Sequence, residues 1–343
     1  MRGLILALSV FTIALVVLAA VAALAVFNRS EIPSAPAVSH PVALDLAGLT
    51  PTGHTTGVGS GPGYLAYDSA KSRVFVSNDL SNNVTVISTK TNKTIANIPV
   101  GDSPLALTYD SKTGNIYVAN SGSDNLSVIS GSTDKVVATV TLASFSGPQG
   151  IAYDSTNAEI FVANGGLDDV DIISAATNTI VGSVPAGSDP RAVVYDPTSN
   201  EVLVTNQLSA NVTVISASTN TVVANVPVDA VPLGAVYDSG KNETFVSSLA
   251  DDTVTVISDA TNTVVATIKV GAEPVGLAYD SKKNEVLVAN SDSNNVSVIS
   301  DSTNEVVSSV KVGSGPFGIV FDSSKNEIFV ANYNADTVSI VKP

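Results

Sequence analysis

The chain has 343 residues with 16 basic and 31 acidic side chains, a formal net charge of −15, no cysteine and two histidines. The missing cysteines exclude disulfides. No His or Cys follows His54, which excludes from the rest of the chain serine–histidine or cysteine–histidine catalysis and histidine-bound zinc, copper or haem. Nucleic-acid binding is not expected, because phosphate neutralisation requires clustered Lys and Arg.

The N-terminal residues 1–27 are apolar, with no charged side chain between Gly3 and Phe27. As a helix, such a segment is about 37 Å long, enough to cross a hydrocarbon core of about 30 Å. It is interpreted as a membrane anchor, and the alternative is a cleaved signal peptide. Both place the rest of the chain outside the cytoplasm, anchored at the cell surface or secreted. Residues 28–48 follow as a Pro- and Ala-bearing linker.

Residues 49–343 repeat a unit of about 42 residues seven times. The clearest marker is an aromatic–Asp pair, found at Tyr67-Asp68, Tyr109-Asp110, Tyr153-Asp154, Tyr195-Asp196, Tyr237-Asp238, Tyr279-Asp280 and Phe321-Asp322. Each unit has four short runs rich in β-branched residues, and this period with four strands is typical of a propeller blade. The sequence therefore predicts an all-β fold: a seven-bladed β-propeller of four-stranded antiparallel blades, preceded by the N-terminal helix.

The last repeat ends at Pro343, directly after its third strand. Residues 43–58 are therefore expected to supply the outer strand of that blade, so that the ring closes without an open edge. The fifth repeat departs from the others, because Thr244 replaces an aliphatic residue of its second strand and Ser248 replaces the Asn that ends that strand.

The second strands carry segments such as Ile116-Tyr-Val-Ala-Asn120 and Val202-Leu-Val-Thr-Asn206. These segments resemble the signature of the YVTN β-propeller repeat family, and the resemblance covers residues 57–343. That family includes archaeal surface-layer and cell-surface proteins and bacterial periplasmic propellers, so the resemblance implies a propeller of the cell envelope. It says little about activity, because propellers have many functions.

Seven residues directly follow the prolines at which the repeats begin, and these are expected near the central channel. Most are apolar, and the polar exceptions are Gln149 and Arg191, one repeat apart. They form the predicted ligand-binding site, since apolar walls with few polar groups suit either a packed core or a small-ligand pocket.

The loops on one face of the predicted disc are rich in Asp and contain no Lys. This pattern indicates either a solvated acidic surface or a docking surface for cations or basic partners. Asp168, Asp169 and Asp171 are the predicted metal ligands within it, for Ca²⁺, because hard cations prefer carboxylate oxygens.

Asn-x-Ser/Thr sequons mark predicted glycosylation sites. In the repeats they lie at Asn83, Asn92, Asn125, Asn211, Asn242 and Asn295.

Three functions fit these patterns. The main interpretation is a non-enzymatic, surface-layer-type scaffold that offers its acidic face to envelope proteins or glycans. An alternative is an extracytoplasmic enzyme resembling lactonase or lyase propellers, which uses carboxylates and a divalent metal. Another is a small-ligand-binding propeller that uses the channel beside Arg191.

Overall fold

The structure is a computed structural model that describes residues 50–342. The chain divides into two units, Met1–Asp45 and Leu46–Pro343, and every described residue belongs to the second. The predicted anchor or signal segment and the linker lie outside the described residues. Within residues 50–342, no helix has both the length and the apolar character needed to span a membrane.

Residues 50–342 contain 28 β-strands and two 3₁₀ turns. The strands in chain order are β1 Thr50–Gly57, β2 Pro62–Asp68, β3 Arg73–Asn78, β4 Asn83–Ser88, β5 Lys93–Pro99, β6 Pro104–Tyr109, β7 Asn115–Asn120, β8 Asn125–Ser130, β9 Lys135–Thr141, β10 Pro148–Asp154, β11 Glu159–Asn164, β12 Asp169–Ser174, β13 Thr179–Pro185, β14 Pro190–Asp196, β15 Glu201–Asn206, β16 Asn211–Ser216, β17 Thr221–Pro227, β18 Pro232–Asp238, β19 Glu243–Ser248, β20 Thr253–Ser258, β21 Thr263–Lys269, β22 Pro274–Asp280, β23 Glu285–Asn290, β24 Asn295–Ser300, β25 Glu305–Lys311, β26 Pro316–Asp322, β27 Glu327–Asn332 and β28 Thr337–Lys342. The 3₁₀ turns are η1 Asp79–Ser81 and η2 Tyr333–Ala335.

The strands form seven four-stranded antiparallel sheets. Blade 1 is β2-β3-β4-β5, blades 2 to 6 repeat this order along the chain, and blade 7 is β26-β27-β28-β1. The predicted fold class is confirmed for the propeller. Blade 7 closes through β1, which pairs antiparallel with β28 from Thr50 opposite Lys342 to Gly57 opposite Thr337. The expected range, residues 43–58, contains this strand.

The core lies between neighbouring blades. The second strands are almost wholly buried, and their large residues Phe75, Tyr117, Phe161 and Phe329 have no exposed surface. The outer strands instead alternate, so that β13 buries only Val184 fully. This gradient follows from the disc, because a middle strand has a blade on each side while an outer strand faces water.

Side-chain hydrogen bonds between the loops of neighbouring blades, here called loop ties, also connect each blade to the next. The residue before each third strand has a positive φ, and in six blades it is Asn or Asp. In those six its side chain accepts a backbone N–H from the following blade's entry loop: Asn82 from Ser103, Asp124 from Gly147, Asp168 from Asp189, Asp252 from Glu273, Asn294 from Gly315 and Asp336 from Gly61. Blade 4 has Ala210 at this position, which has no side-chain acceptor.

Candidate functional site

The innermost strands of the seven blades surround a central cavity of about 140 Å³. One ring of its lining is formed by the second residue after each entry proline. In six blades this residue is Gly or Ala, and in blade 1 it is tyrosine: Tyr64, Ala106, Gly150, Ala192, Gly234, Gly276 and Gly318. The glycines allow a close approach, since a Cβ on Gly150 or Gly276 would collide with the backbone carbonyl of the next blade's innermost strand.

Arg191 is the basic residue that lines this cavity. Its Nη1 donates to Gln149 Oε1 at 3.0 Å, and its Nη2 donates to Asp189 Oδ2 at 2.8 Å. The structure thus brings together the two polar residues predicted to bind a ligand. Arg191 Nε is buried and has no hydrogen-bond partner among residues 50–342. Two nitrogens hold the guanidinium in place, and the third remains available as a donor.

Asp189 owes its position to the loop ties between blades. Its backbone is in the left-handed region, with φ of 55°. Asp168 Oδ1 accepts the Asp189 N–H at 2.8 Å, and the Ser188 hydroxyl also donates to Asp168. Asp168 therefore positions the carboxylate that pairs with Arg191.

Aromatic side chains from blades 7 and 1 lie near the same cavity. The rings of Tyr64 and Phe317 meet edge to face with centroids 5.1 Å apart, and Phe317 is 6.0 Å from Tyr333. The Tyr333 hydroxyl donates to Asp79 Oδ2 at 3.0 Å. Burial raises the pKa of Asp79, although hydrogen bonds from Tyr333 and Ser103 oppose the shift.

Tyr64 was not among the predicted site residues. Its signal was present, because the equivalent residue is Gly or Ala in every other repeat. Burial raises the pKa of the Tyr64 hydroxyl, and the positive charge of Arg191 partly opposes this. The two side chains therefore affect each other across the cavity.

The three Asp residues predicted to bind Ca²⁺ have separate protein partners. Asp168 binds the Asp189 backbone, whereas Asp169 accepts hydrogen bonds from Asn164 at 2.8 Å and Ser183 at 2.9 Å. Asp171 is buried within β12, which raises its pKa, and Asn164 opposes that shift. Across the described part of the chain, no group of three or more His, Cys, Asp or Glu residues is arranged to hold a metal ion. The calcium site gains no support from this arrangement and stays a prediction.

Four of the sequon asparagines begin third strands, namely Asn83, Asn125, Asn211 and Asn295. All four are half-buried, and each accepts a hydrogen bond at Oδ1 from the Asn that ends the preceding strand. The other two, Asn92 and Asn242, are half-buried turn residues with φ of 54° and 58°. Glycosylation at the six stays a prediction.

The unusual fifth repeat contains a second polar cluster, on the opposite face of the disc. Thr244 Oγ1 donates to Asp259 Oδ2 at 2.9 Å, and both residues are buried. Asp259 Oδ1 has no hydrogen-bond partner in the described chain. Burial, reinforced by the negative charges of Asp196, Glu201 and Glu243, raises the pKa of Asp259 to about 7.

The fold and the channel site define a seven-bladed propeller with one arginine-centred pocket on its axis. The family model described as "Lactonase, 7-bladed beta-propeller" matches residues 43–304. This is more than half of the chain, and the chain belongs to that family. The YVTN repeat family is not shown by this match.

One similar solved structure is the hydrazine synthase of Kuenenia stuttgartiensis. It has a TM-score of 0.74 and 19% sequence identity, and the match covers 90% of this chain and 99% of that chain. At this identity the likeness shows the fold alone. No curated protein matches the chain.

The prediction of a non-enzymatic scaffold is wrong. It rested on the acidic loop face and on the resemblance to propellers of the cell envelope. Membership of the lactonase propeller family favours the alternative instead, an enzyme-like propeller. The acidic loops also have a structural role, because several of their carboxylates accept hydrogen bonds from backbone N–H groups of the next blade.

Proposed function

We propose that this protein is an enzyme that hydrolyses a lactone at the mouth of the propeller channel. The observation that carries the proposal is the guanidinium of Arg191, held by Gln149 and Asp189 with Nε–H left without a protein partner. Membership of the lactonase propeller family supports the reaction class.

The residues have complementary roles in this reaction. Water adds to the lactone carbonyl carbon, and negative charge develops on the carbonyl oxygen. Arg191 stabilises that oxyanion from a position already fixed by its neighbours, which is why such a donor is effective. Asp189, beside the guanidinium, accepts the proton of the attacking water. The ring C–O bond then breaks, and the proton passes to the departing ring oxygen, so that lactone and water yield one hydroxy acid.

Gln149 acts as a positioning residue. Its Oε1 accepts from Arg191 Nη1 at 3.0 Å, and its Nε2 donates to Gly147 O at 3.2 Å and to Ser121 Oγ at 3.4 Å. The amide therefore links the guanidinium to the entry loop of blade 3. This rigid support reduces the conformational freedom that would otherwise be lost when a ligand binds.

We also propose that the enzyme works outside the cytoplasm and that its repeats are of the YVTN type. The uncharged segment from Gly3 to Phe27 supports export, and the segment Ile116–Asn120 with its equivalents supports the repeat type.

The test is hydrolysis of a panel of five- and six-membered lactones by the full-length chain, followed as acid release. Arg191→Ala is expected to lower kcat by about 10² to 10³, the usual effect of losing an oxyanion donor. Asp189→Asn is expected to lower kcat as well. Lys112→Ala is the matched control, because Lys112 is exposed on the opposite face.

Thermal unfolding of each variant would establish that the fold is intact. The proposal fails if the wild-type chain hydrolyses none of the lactones, or if Arg191→Ala retains full activity.

A further inference from the structure

We propose that the channel selects a small, uncharged, single-ring lactone, and that Tyr64 is a second catalytic residue that donates its O–H to the same carbonyl oxygen as Arg191 Nε–H. This inference rests on the proposed function and specifies its substrate class and its second donor. Four observations support it: the volume of the cavity, the residues that line it, the charged groups around it and the protonated hydroxyl of Tyr64.

The cavity has room for one ring. Its volume is about 140 Å³, close to the roughly 150 Å³ of an apolar protein cavity that holds benzene. Pockets for larger ligands are typically about 300 to 1,000 Å³. The ring of Gly and Ala residues cannot move outward easily, because Gly234 and Gly318 already pack against backbone carbonyls of the neighbouring blades. A substrate with a long or branched substituent would therefore have to leave that part outside the cavity.

The lining offers few polar side chains. Tyr64 and Arg191 supply them, and the other lining residues are Gly, Ala, Val, Leu or Ile. A polyhydroxylated ring would have to pair its hydroxyl groups with these two side chains and with backbone groups of the innermost strands, and each hydroxyl left without a partner would lose its water at a cost. The lining therefore favours a ring whose main polar group is the lactone itself.

The charge of the site favours a neutral ligand. The Arg191 guanidinium is already paired with Asp189, and the two side chains are only 16% and 18% exposed. Asp79 adds a further acidic group near the aromatic side. A phosphate or carboxylate substituent would meet a compensated cation and nearby acidic residues. A carbonyl oxygen, by contrast, needs only N–H or O–H donors.

Tyr64 is suited to be such a donor. Its ring is held edge-on against Phe317, and its backbone N–H donates to Ser77 Oγ at 3.1 Å. Tyr64 lines the same cavity as Arg191. A tyrosine hydroxyl is protonated near neutral pH and can donate, and burial raises the pKa of Tyr64 further. Two fixed donors on one oxygen are the arrangement that stabilises an oxyanion.

The test compares three substrates with the full-length chain: δ-valerolactone, glucono-δ-lactone and a phosphorylated glucono-δ-lactone. For wild type, kcat/KM is expected to be at least about 10²-fold higher for δ-valerolactone than for the other two. Tyr64→Phe, which keeps the aromatic packing, is expected to lower kcat for δ-valerolactone by about 10- to 100-fold with KM changed by less than about threefold. Tyr237→Phe is the control, since its hydroxyl binds Thr198 and Asn242 on the opposite face.

The outcomes separate the two proposals. If Arg191→Ala abolishes hydrolysis but the polyhydroxylated or phosphorylated lactone is the better substrate, the inference is overturned and the proposed function stands. The role of Tyr64 is overturned if Tyr64→Phe matches wild type. If Tyr64→Phe fails to fold, the substrate ranking of the wild-type chain still decides the substrate class. Absence of hydrolysis with every lactone overturns both proposals.

Discussion

Two junctions between neighbouring blades, both on the face opposite the acidic loops, differ in the sign of the charges that surround a buried carboxylate. Between blades 1 and 2, Arg73 is 7% exposed and contacts three acceptors. It donates to Asp68 Oδ2 at 2.7 Å, to Asp134 Oδ1 at 2.6 Å and to Gly131 O at 2.6 Å. Its guanidinium also lies 5.1 Å from the Phe75 ring centroid. Lys71 Nζ also donates to Gly131 O, so two cations of blade 1 contact blade 2 at this junction.

Between blades 4 and 5 the corresponding position is acidic. Glu201 begins β15 as Arg73 begins β3, and it accepts from Asn262 of blade 5 at 3.5 Å. The charges that act on the buried Asp259, those of Asp196, Glu201 and Glu243, are all negative. The same arrangement of strands therefore accommodates two kinds of charge cluster. In one, a cation neutralises the buried carboxylates; in the other, a proton bound by a carboxylate reduces the repulsion between acidic groups. The backbone therefore repeats from blade to blade, whereas single residues set the electrostatics of each junction.

The largest effect is expected from Arg73→Met, which removes the cation but keeps much of the side-chain volume. Asp68, whose side chain is 2% exposed, would be left as a buried charge without its partner. Breaking such a pair costs about 3 to 5 kcal/mol of unfolding free energy. Denaturant unfolding at pH 7 measures the change.

Lys112→Met is the matched control for that variant. Lys112 is exposed, and surface substitutions of this kind usually change stability by less than about 0.5 kcal/mol. Equal losses in the two variants would contradict the distinction between a buried and an exposed cation.

A pH-dependent effect of similar size at most is expected from Asp259→Asn. The folded pKa of Asp259 is raised to about 7, whereas the unfolded value is about 3.9. Between these values the folded state binds more protons, so stability is fully present below about pH 4 and is lost as pH rises through about 7. The loss is on the order of 4 kcal/mol. Asn cannot ionise, and the variant should be more stable than wild type at pH 8.

Unfolding free energies at pH 5, 6, 7 and 8 check this expectation. Wild type should lose stability across the series relative to Asp259→Asn. Asp292→Asn is the control, because Asp292 is exposed. This variant should leave the slope of the unfolding free energy against pH unchanged. A wild-type slope that persists in Asp259→Asn would show that another group titrates in this range.

The smallest effect is expected from Ala210→Asn, which restores the loop tie that blade 4 lacks. Ala210 has φ of 49°, a conformation that Asn adopts more readily than Ala. The new side chain would also accept the N–H of the next entry loop. Together these changes should stabilise the fold by about 0.5 to 1 kcal/mol, as measured by denaturant unfolding. Asn294→Ala is the reverse control and should lose a similar amount; if neither variant changes stability, the loop ties have no energetic role.

Much of the fold and part of the site were predictable from the sequence. Seven blades of four strands follow from the repeat, because alternating β-branched residues and turn residues act locally. Gln149 and Arg191 could be placed side by side because they occupy the same position one repeat apart. Tyr64 was overlooked, since an aromatic residue in a strand is unremarkable until its six Gly or Ala counterparts are seen to surround one axis.

The calcium site, which stays a prediction, shows what sequence spacing leaves open. Asp168, Asp169 and Asp171 are close in sequence, and proximity alone suggested a shared ligand. In the fold their partners differ, since Asp168 binds the next blade while Asp169 and Asp171 lie beside Asn164. Sequence spacing does not reveal which neighbour a carboxylate meets after the blades have packed.

The sequence by itself determined the repeat, the number of blades and the strand order within a blade. Only the tertiary structure decided that Tyr64 and Arg191 line one small cavity, that Asp189 compensates the guanidinium, and that Thr244 and Asp259 form a buried pair. The physical reason is that strand formation depends on neighbours along the chain, whereas the channel and the blade junctions exist only after β1 closes the ring and brings distant repeats into contact.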